Sequence, residues 1–233
     1  MRPTMQLVGP TSGGSSRHSG IPAAPPDSLD VLEQFGTTIC VKREQEIHPQ
    51  GEGVQFCYRV LRGCIRTVRL MEDGRRQIGE FLMAGDLLGF DALETYDFAA
   101  EAVSDTVLRR YPRRTVDALA ERSVFLTRRL CDLASISLRT AHARLVLLGR
   151  NTASERLASF LLEMSERLPG KSPDVLELPM SRTDIADHLG LTIETVCRVL
   201  AHLRHDGTVA IDRNSITVRD RSALEAMASQ SRH

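Results

Sequence analysis

The sequence predicts an α+β chain: an N-terminal β-roll of jelly-roll, sensor-domain type, a long helix, and a C-terminal winged helix-turn-helix. Three observations predict it. Between Thr37 and Tyr111 short β-rich runs alternate with glycines, the spacing of small barrels and jelly rolls. After Pro112 the pattern turns helical for almost forty residues. Residues 182–205, RTDIADHLGLTIETVCRVLAHLRH, then read as two short helices around a glycine turn.

Taken in order, residues 1–28 are rich in Gly, Ser and Pro (GPTSGGSSRHSGIPAAPPDS) and predict a disordered tail. The β-roll is expected over 29–112, with TTICVKREQEI, VQFCYRVLRG, CIRTVRL, RQIGEFLM and FAAEAVSDTVLRRY as its runs. Glu72-Asp73-Gly74 reads as a hairpin turn, glycine supplying the left-handed conformation. A dimerisation helix is expected over 113–150. Along it Leu126, Leu130, Leu133, Ser137, Thr140, Arg144 and Leu147 recur at alternating steps of four and three, a heptad-like seam on the dimerisation helix; such a stripe is more often intramolecular core than a dimer contact, and both roles are compatible on a helix this long. A helix of that length has a second face free for the β-roll. Residues 151–233 form the winged helix-turn-helix domain: an amphipathic helix over 151–168, the loop LPGKSPD, then the two-helix segment.

Within that segment Ala186 is small where two helices touch, Gly190 sits where a tight turn needs positive φ, and Val196 anchors the core. Ser181 and Thr192 are placed to cap the two helices, and Gly207 to stop the second. On the second helix Ile193, Val196, Leu200 and Leu203 form the expected buried stripe, which leaves Glu194, Cys197, Arg198 and Ala201 on the opposite face. A helix fits the DNA major groove, where Arg pairs with guanine and a carboxylate accepts from cytosine. Glu194, Cys197 and Arg198 are therefore the base-reading candidates, and Ile193, Thr195, Ser181, Thr183 and Arg213 the secondary DNA contacts. An i,i+4 surface ion pair between Glu194 and Arg198 is the plainer alternative. Thr208–Ile211 and Ile216–Val218 flank a polar turn and read as a wing.

Composition bounds the rest. The 233 residues carry 30 Lys+Arg and 30 Asp+Glu, net charge +0, and over 181–233 the arginines are matched by as many carboxylates. Binding to double-stranded DNA must then rest on few contacts, doubled by a homodimer, rather than on a basic field. The five cysteines contain no C-x-x-C pair and nothing resembles a secretory signal, so reduced thiols and a cytoplasmic location are expected. No apolar run is long enough for a membrane. A metal-dependent jelly-roll enzyme needs several histidines, and His48 is the sole one between 37 and 111. No enzyme activity and no metal site are expected.

The order β-roll, long helix, helix-turn-helix, wing, together with AGDLLGFDAL at 84–93, NTASERLASFL at 151–161 and SRTDIADHLGLTIETVCRVL at 181–200, resembles the Crp/Fnr regulators from Leu29 to Met227. LGLTIETVCR looks most like the Fnr and FixK branch, with Glu194, Cys197 and Arg198 in its reading slots. Ile193 stands where the cyclic-AMP-responsive branch carries another reading Arg. The resemblance implies a transcription activator that binds a TTGAT-type palindrome as a homodimer and works with RNA polymerase on low-oxygen respiration or nitrogen-metabolism genes.

It also implies which signals to test. The cyclic-nucleotide site needs a Glu and an Arg-Ser pair; this chain has Phe90 and Asp97-Phe98 there. The iron–sulfur branch needs an N-terminal cysteine cluster and one later Cys; none precedes Cys40, and Arg109 holds the later position. No cofactor is expected. A haem-dependent, nitric-oxide-responsive relative, with His48 or His142 as ligand, stays open as the alternative. Cys197, a thiol on the DNA-facing surface, is a redox candidate whose oxidation would add bulk or charge against DNA.

Overall fold

Residues 29–92, 94–168, 174–212 and 215–229 are described by the computed structural model. The expected tail and Arg213 lie outside them. A one-turn helix, α1 (Asp30–Glu33), opens the described chain. Eight strands follow: β1 (Thr37–Val41), β2 (Glu46–His48), β3 (Phe56–Arg62), β4 (Cys64–Leu70), β5 (Arg76–Met83), β6 (Leu87–Leu88), β7 (Ala99–Ala102) and β8 (Thr106–Pro112). They pair antiparallel in two four-stranded sheets, β1-β8-β3-β6 and β2-β7-β4-β5. At the β4–β5 hairpin Gly74 takes φ 80, and its N–H donates to Met71 O at 3.0 Å. The run FAAEAVSDTVLRRY is two strands, β7 and β8, parted by a turn at Val103–Asp105.

The β4–β5 pair is buried on both faces. Successive side chains of a strand point to opposite sides, so the cross-strand partners Ile65 and Leu82 fill the roll with Val60, Leu88 and Leu108. Cys64, Val68, Ile78, Phe81 and Met83 point outward into a second core, shared with the C-terminal helices.

The helical stretch 113–150 is divided: α2 (Arg113–Ala120) and α3 (Val124–Arg150). Ser123 makes the break, because its extended backbone and side-chain oxygen, accepting from Leu126 N at 3.3 Å, cap a new helix. Of the two roles open to the seam, its leucines take the intramolecular one and face their own chain. Leu126, Leu130 and Leu133 pack with Leu29, Leu32, Cys57, Tyr111 and Val116. Ser137 Oγ donates to Asp91 at 3.1 Å, and Arg144 donates to His188 Nε2 at 3.2 Å. Leu147 is half-buried, and Thr140, exposed to solvent, borders the cavity beside Arg144. The opposite side of α3 is apolar and bare: Val124 is 80% exposed, Leu138 57% and Leu145 69%.

The C-terminal half comprises α4 (Ala153–Arg167), β9 (Val175–Glu177), α5 (Arg182–Leu189), α6 (Ile193–His205), β10 (Val209–Asp212), β11 (Ser215–Val218) and α7 (Arg221–Ser229). β10, β11 and β9 form a three-stranded antiparallel sheet. Leu157, Phe160, Leu161, Ile185, Leu189, Val196, Leu200 and Leu203 make its core. Among the described residues no helix is long and apolar enough to cross a membrane.

Candidate nucleic-acid interface

The two-helix unit is fixed locally by its polar residues. Ser181 and Asp184 cap α5 reciprocally: Asp184 N donates to Ser181 Oγ at 3.1 Å, and Ser181 N to Asp184 Oδ2 at 3.0 Å. Gly190 closes α5 at φ 62, ψ 42, donating to Ala186 O. A Cβ added there would meet nothing nearer than 3.6 Å, so the turn demands a left-handed backbone rather than space. Thr192 Oγ1 accepts from Thr195 N at 3.2 Å and starts α6. Ala186 and Val196 are buried at the α5–α6 contact.

Val196, Val199, Leu200 and Leu203 are the buried stripe of α6. Ile193 departs from the expected stripe: it is 39% exposed, because it begins the helix where α5 no longer covers it. It therefore joins the outward face. Glu194 and Arg198 are exposed there and Cys197 is half-buried between them. Arg198 Nη2 donates to Thr195 Oγ1 at 3.4 Å, and among the described residues no ion pair joins it to Glu194. The two charges are free to meet base edges. Arg182, which the sequence reading passed over, reaches across from α5 and donates to Cys197 Sγ at 3.6 Å; its place just after the cap was the available signal. Thr183 is exposed, while the Ser181 hydroxyl is engaged in the cap. The wing pairs Asp212 with Ser215 and is backed by β9, a three-residue strand too short to show a period.

A second concavity lies between the β-roll and α3. This cavity of about 460 Å³ is bordered by His48, Glu80, Asp91, Tyr96, Asp97 and Arg144, three carboxylates against one guanidinium. His48 stacks on Tyr96 with ring centroids 3.6 Å apart, and burial lowers its pKa to about 4. Burial also raises the Glu80 pKa. Phe90 packs edge-on against Tyr111, 6.2 Å between centroids, within an apolar cluster. Of the thiols, Cys57 and Cys64 are buried and pushed up to about 12 by desolvation; Cys40 and Cys131 are exposed.

An uncovered α6 on a capped helix-turn-helix, beside a hairpin wing and mounted on a β-roll, defines a DNA-binding transcription regulator. Comparison with known proteins gives a Crp-like helix-turn-helix domain over residues 155–227 and a cyclic nucleotide-binding domain over residues 38–123. The nitrogen fixation regulation protein FixK of Azorhizobium caulinodans is 41% identical over 203 residues, covering 85% of this chain and 82% of that protein. FixK of Rhizobium meliloti is 41% identical over 187 residues, 80% of this chain and 84% of that protein. The structure of FixK2 from Bradyrhizobium japonicum superposes with a TM-score of 0.79 at 38% identity, over 82% of this chain and 96% of that one. The chain belongs to the Crp/Fnr family of transcription regulators, in its FixK-type branch.

Proposed function

We propose that the chain activates transcription as a homodimer, each α6 reading one half of a TTGAT-type palindrome through Glu194, Cys197 and Arg198. The observation that carries this reading is the exposure of Glu194 and Arg198, unpaired with each other, on a helix whose other face is buried. Two such helices on a dimer enter successive major grooves about 34 Å apart. Arg182, Thr183, Thr195 and Ile193 lie beside the reading face and supply the secondary contacts, with Arg213 on the wing. The bare apolar side of α3 is the dimer surface. The targets are low-oxygen respiration or nitrogen-metabolism genes, the second partner RNA polymerase, and the compartment the cytoplasm.

Its control does not run through cyclic AMP or an iron–sulfur cluster. The carboxylate-rich cavity disfavours an anionic nucleotide. Cys197 is the redox element: a hydroperoxide transfers one oxygen to the sulfur, giving a sulfenic acid and releasing water or an alcohol, and the added bulk opposes the DNA groove. Footprinting on a TTGAT palindrome with reduced and peroxide-treated protein tests the whole reading. Arg198→Ala should cost about 1–3 kcal/mol and relax preference at one base pair, whereas a uniform loss over all sequences reduces Arg198 to a phosphate contact. Equal peroxide inhibition of wild type and Cys197→Ser removes the redox role. A Soret band in the purified protein overturns the cofactor-free reading.

A further inference from the structure

We infer that Arg66, Arg76 and Gln77 of the β-roll are positioning residues for DNA reading: they fix the angle at which α6 is presented, and with it the half-site spacing the dimer accepts. This rests on the palindrome reading above.

The observation is a buried polar mount under α5. The two oxygens of Asp184 are divided between two tasks. Oδ2 caps Ser181, while Oδ1 crosses to the β-roll, accepting from Arg66 Nη1 at 3.1 Å and Arg76 Nη2 at 2.9 Å. The Asp184 and Arg66 side chains are 4% and 7% exposed. Arg66 is itself held by Glu101 at 2.8 Å and Glu44 at 2.6 Å. One turn along α5, Arg76 Nε donates to Asp187 Oδ2 at 2.9 Å, and Gln77 Nε2 to the Asp187 carbonyl at 2.6 Å. Arg144 reaches His188 from α3. α5 is thus tied along its length to β4, to β5 and to the helix proposed to carry the dimer axis.

The apolar contact beneath α5 is non-directional and tolerates small rotations. Charge-assisted hydrogen bonds at these distances do not, and the role assigned to these buried pairs is to fix geometry. Because α6 packs on α5, its angle follows the mount. On a palindrome the second reader binds intramolecularly, and that advantage vanishes when geometry forbids simultaneous engagement. The mount therefore sets spacer discrimination.

The full-length chain is titrated against duplexes carrying one half-site, the palindrome, and the palindrome with two base pairs added to its spacer. Wild type should lose roughly a hundredfold on the lengthened spacer. Arg76→Gln and Gln77→Ala should shrink that loss to about tenfold or less while half-site affinity stays within about twofold. Arg66→Gln strands Asp184 and risks unfolding, so Arg76→Lys, which keeps a cation beside Asp184 and Asp187, provides the second arm; it should retain most of the discrimination that Arg76→Gln loses. Wild-type spacer loss in the Arg76→Gln and Gln77→Ala variants overturns the inference, as does a loss of discrimination in Arg76→Lys equal to that in Arg76→Gln. A wild type that binds no such palindrome at either spacing overturns the underlying reading instead.

Discussion

His188 lies between Phe81 and Phe160, with ring centroids 5.0 and 5.7 Å away, and desolvation, reinforced by the Arg144 charge, lowers its pKa to about 3. His48 is lowered to about 4 by burial. Both are released to about 6.5 on unfolding. Between those values and 6.5 the unfolded chain binds protons that the folded chain refuses, so stability rises with pH across this window and is lost on acidification below about 6.5. At pH 5 each histidine should cost up to about 2 kcal/mol. Urea titrations at pH 7 and 5 check this: His188→Gln, less stable at pH 7, should lose less on acidification, and an unchanged loss refutes it. At this scale the sequence exposed the reader and hid its support. Ala186, Gly190 and Val196 each answer a local need, a close approach, a left-handed turn and a core anchor, that a short window displays. Arg66 in CIRTVRL gives no such sign, since its partners Glu44, Glu101 and Asp184 come from three distant segments.

The helix α3 shows how an element can be legible in kind while its orientation stays open. Its repeat through Leu126, Leu130 and Leu133 is real, but a parallel one through Val124, Cys131, Leu138 and Leu145 recurs at the same seven-residue period. Periodicity places residues on a common stripe without saying which stripe meets its own domain. Burial decides: the first packs inward and the second is bare. Leu138→Glu combined with Leu145→Glu should yield a monomer by light scattering, with each exposed change altering folding stability by no more than about 0.5 kcal/mol. A variant that remains dimeric places the interface elsewhere. The break at Ser123 was similarly within reach, because a serine three residues before Leu126 is a capping signal, but the surrounding helical pattern masked it.

For the whole molecule, the consequential contact is the core shared by the outer face of β4–β5 and the C-terminal helices. Phe81 of β5 meets Phe160 of α4 edge-on, 6.3 Å between centroids, and Arg167 of α4 donates to Phe81 O at 2.8 Å and pairs with Asp86 at 2.6 Å. Phe81→Ala should cost about 3–5 kcal/mol and weaken hydrogen-exchange protection in β4 and α5 together. Protection lost from the roll alone would mean that the halves open independently. This shared core is hidden in the sequence, since a strand buried on both faces looks continuous whatever covers it.

Asp184 links the smallest scale to the largest. Glutamate would overreach both partners, and asparagine would keep the cap yet turn an amide donor toward two guanidiniums. A replacement at this position therefore calls for compensating changes at Ser181, Arg66 and Arg76 together.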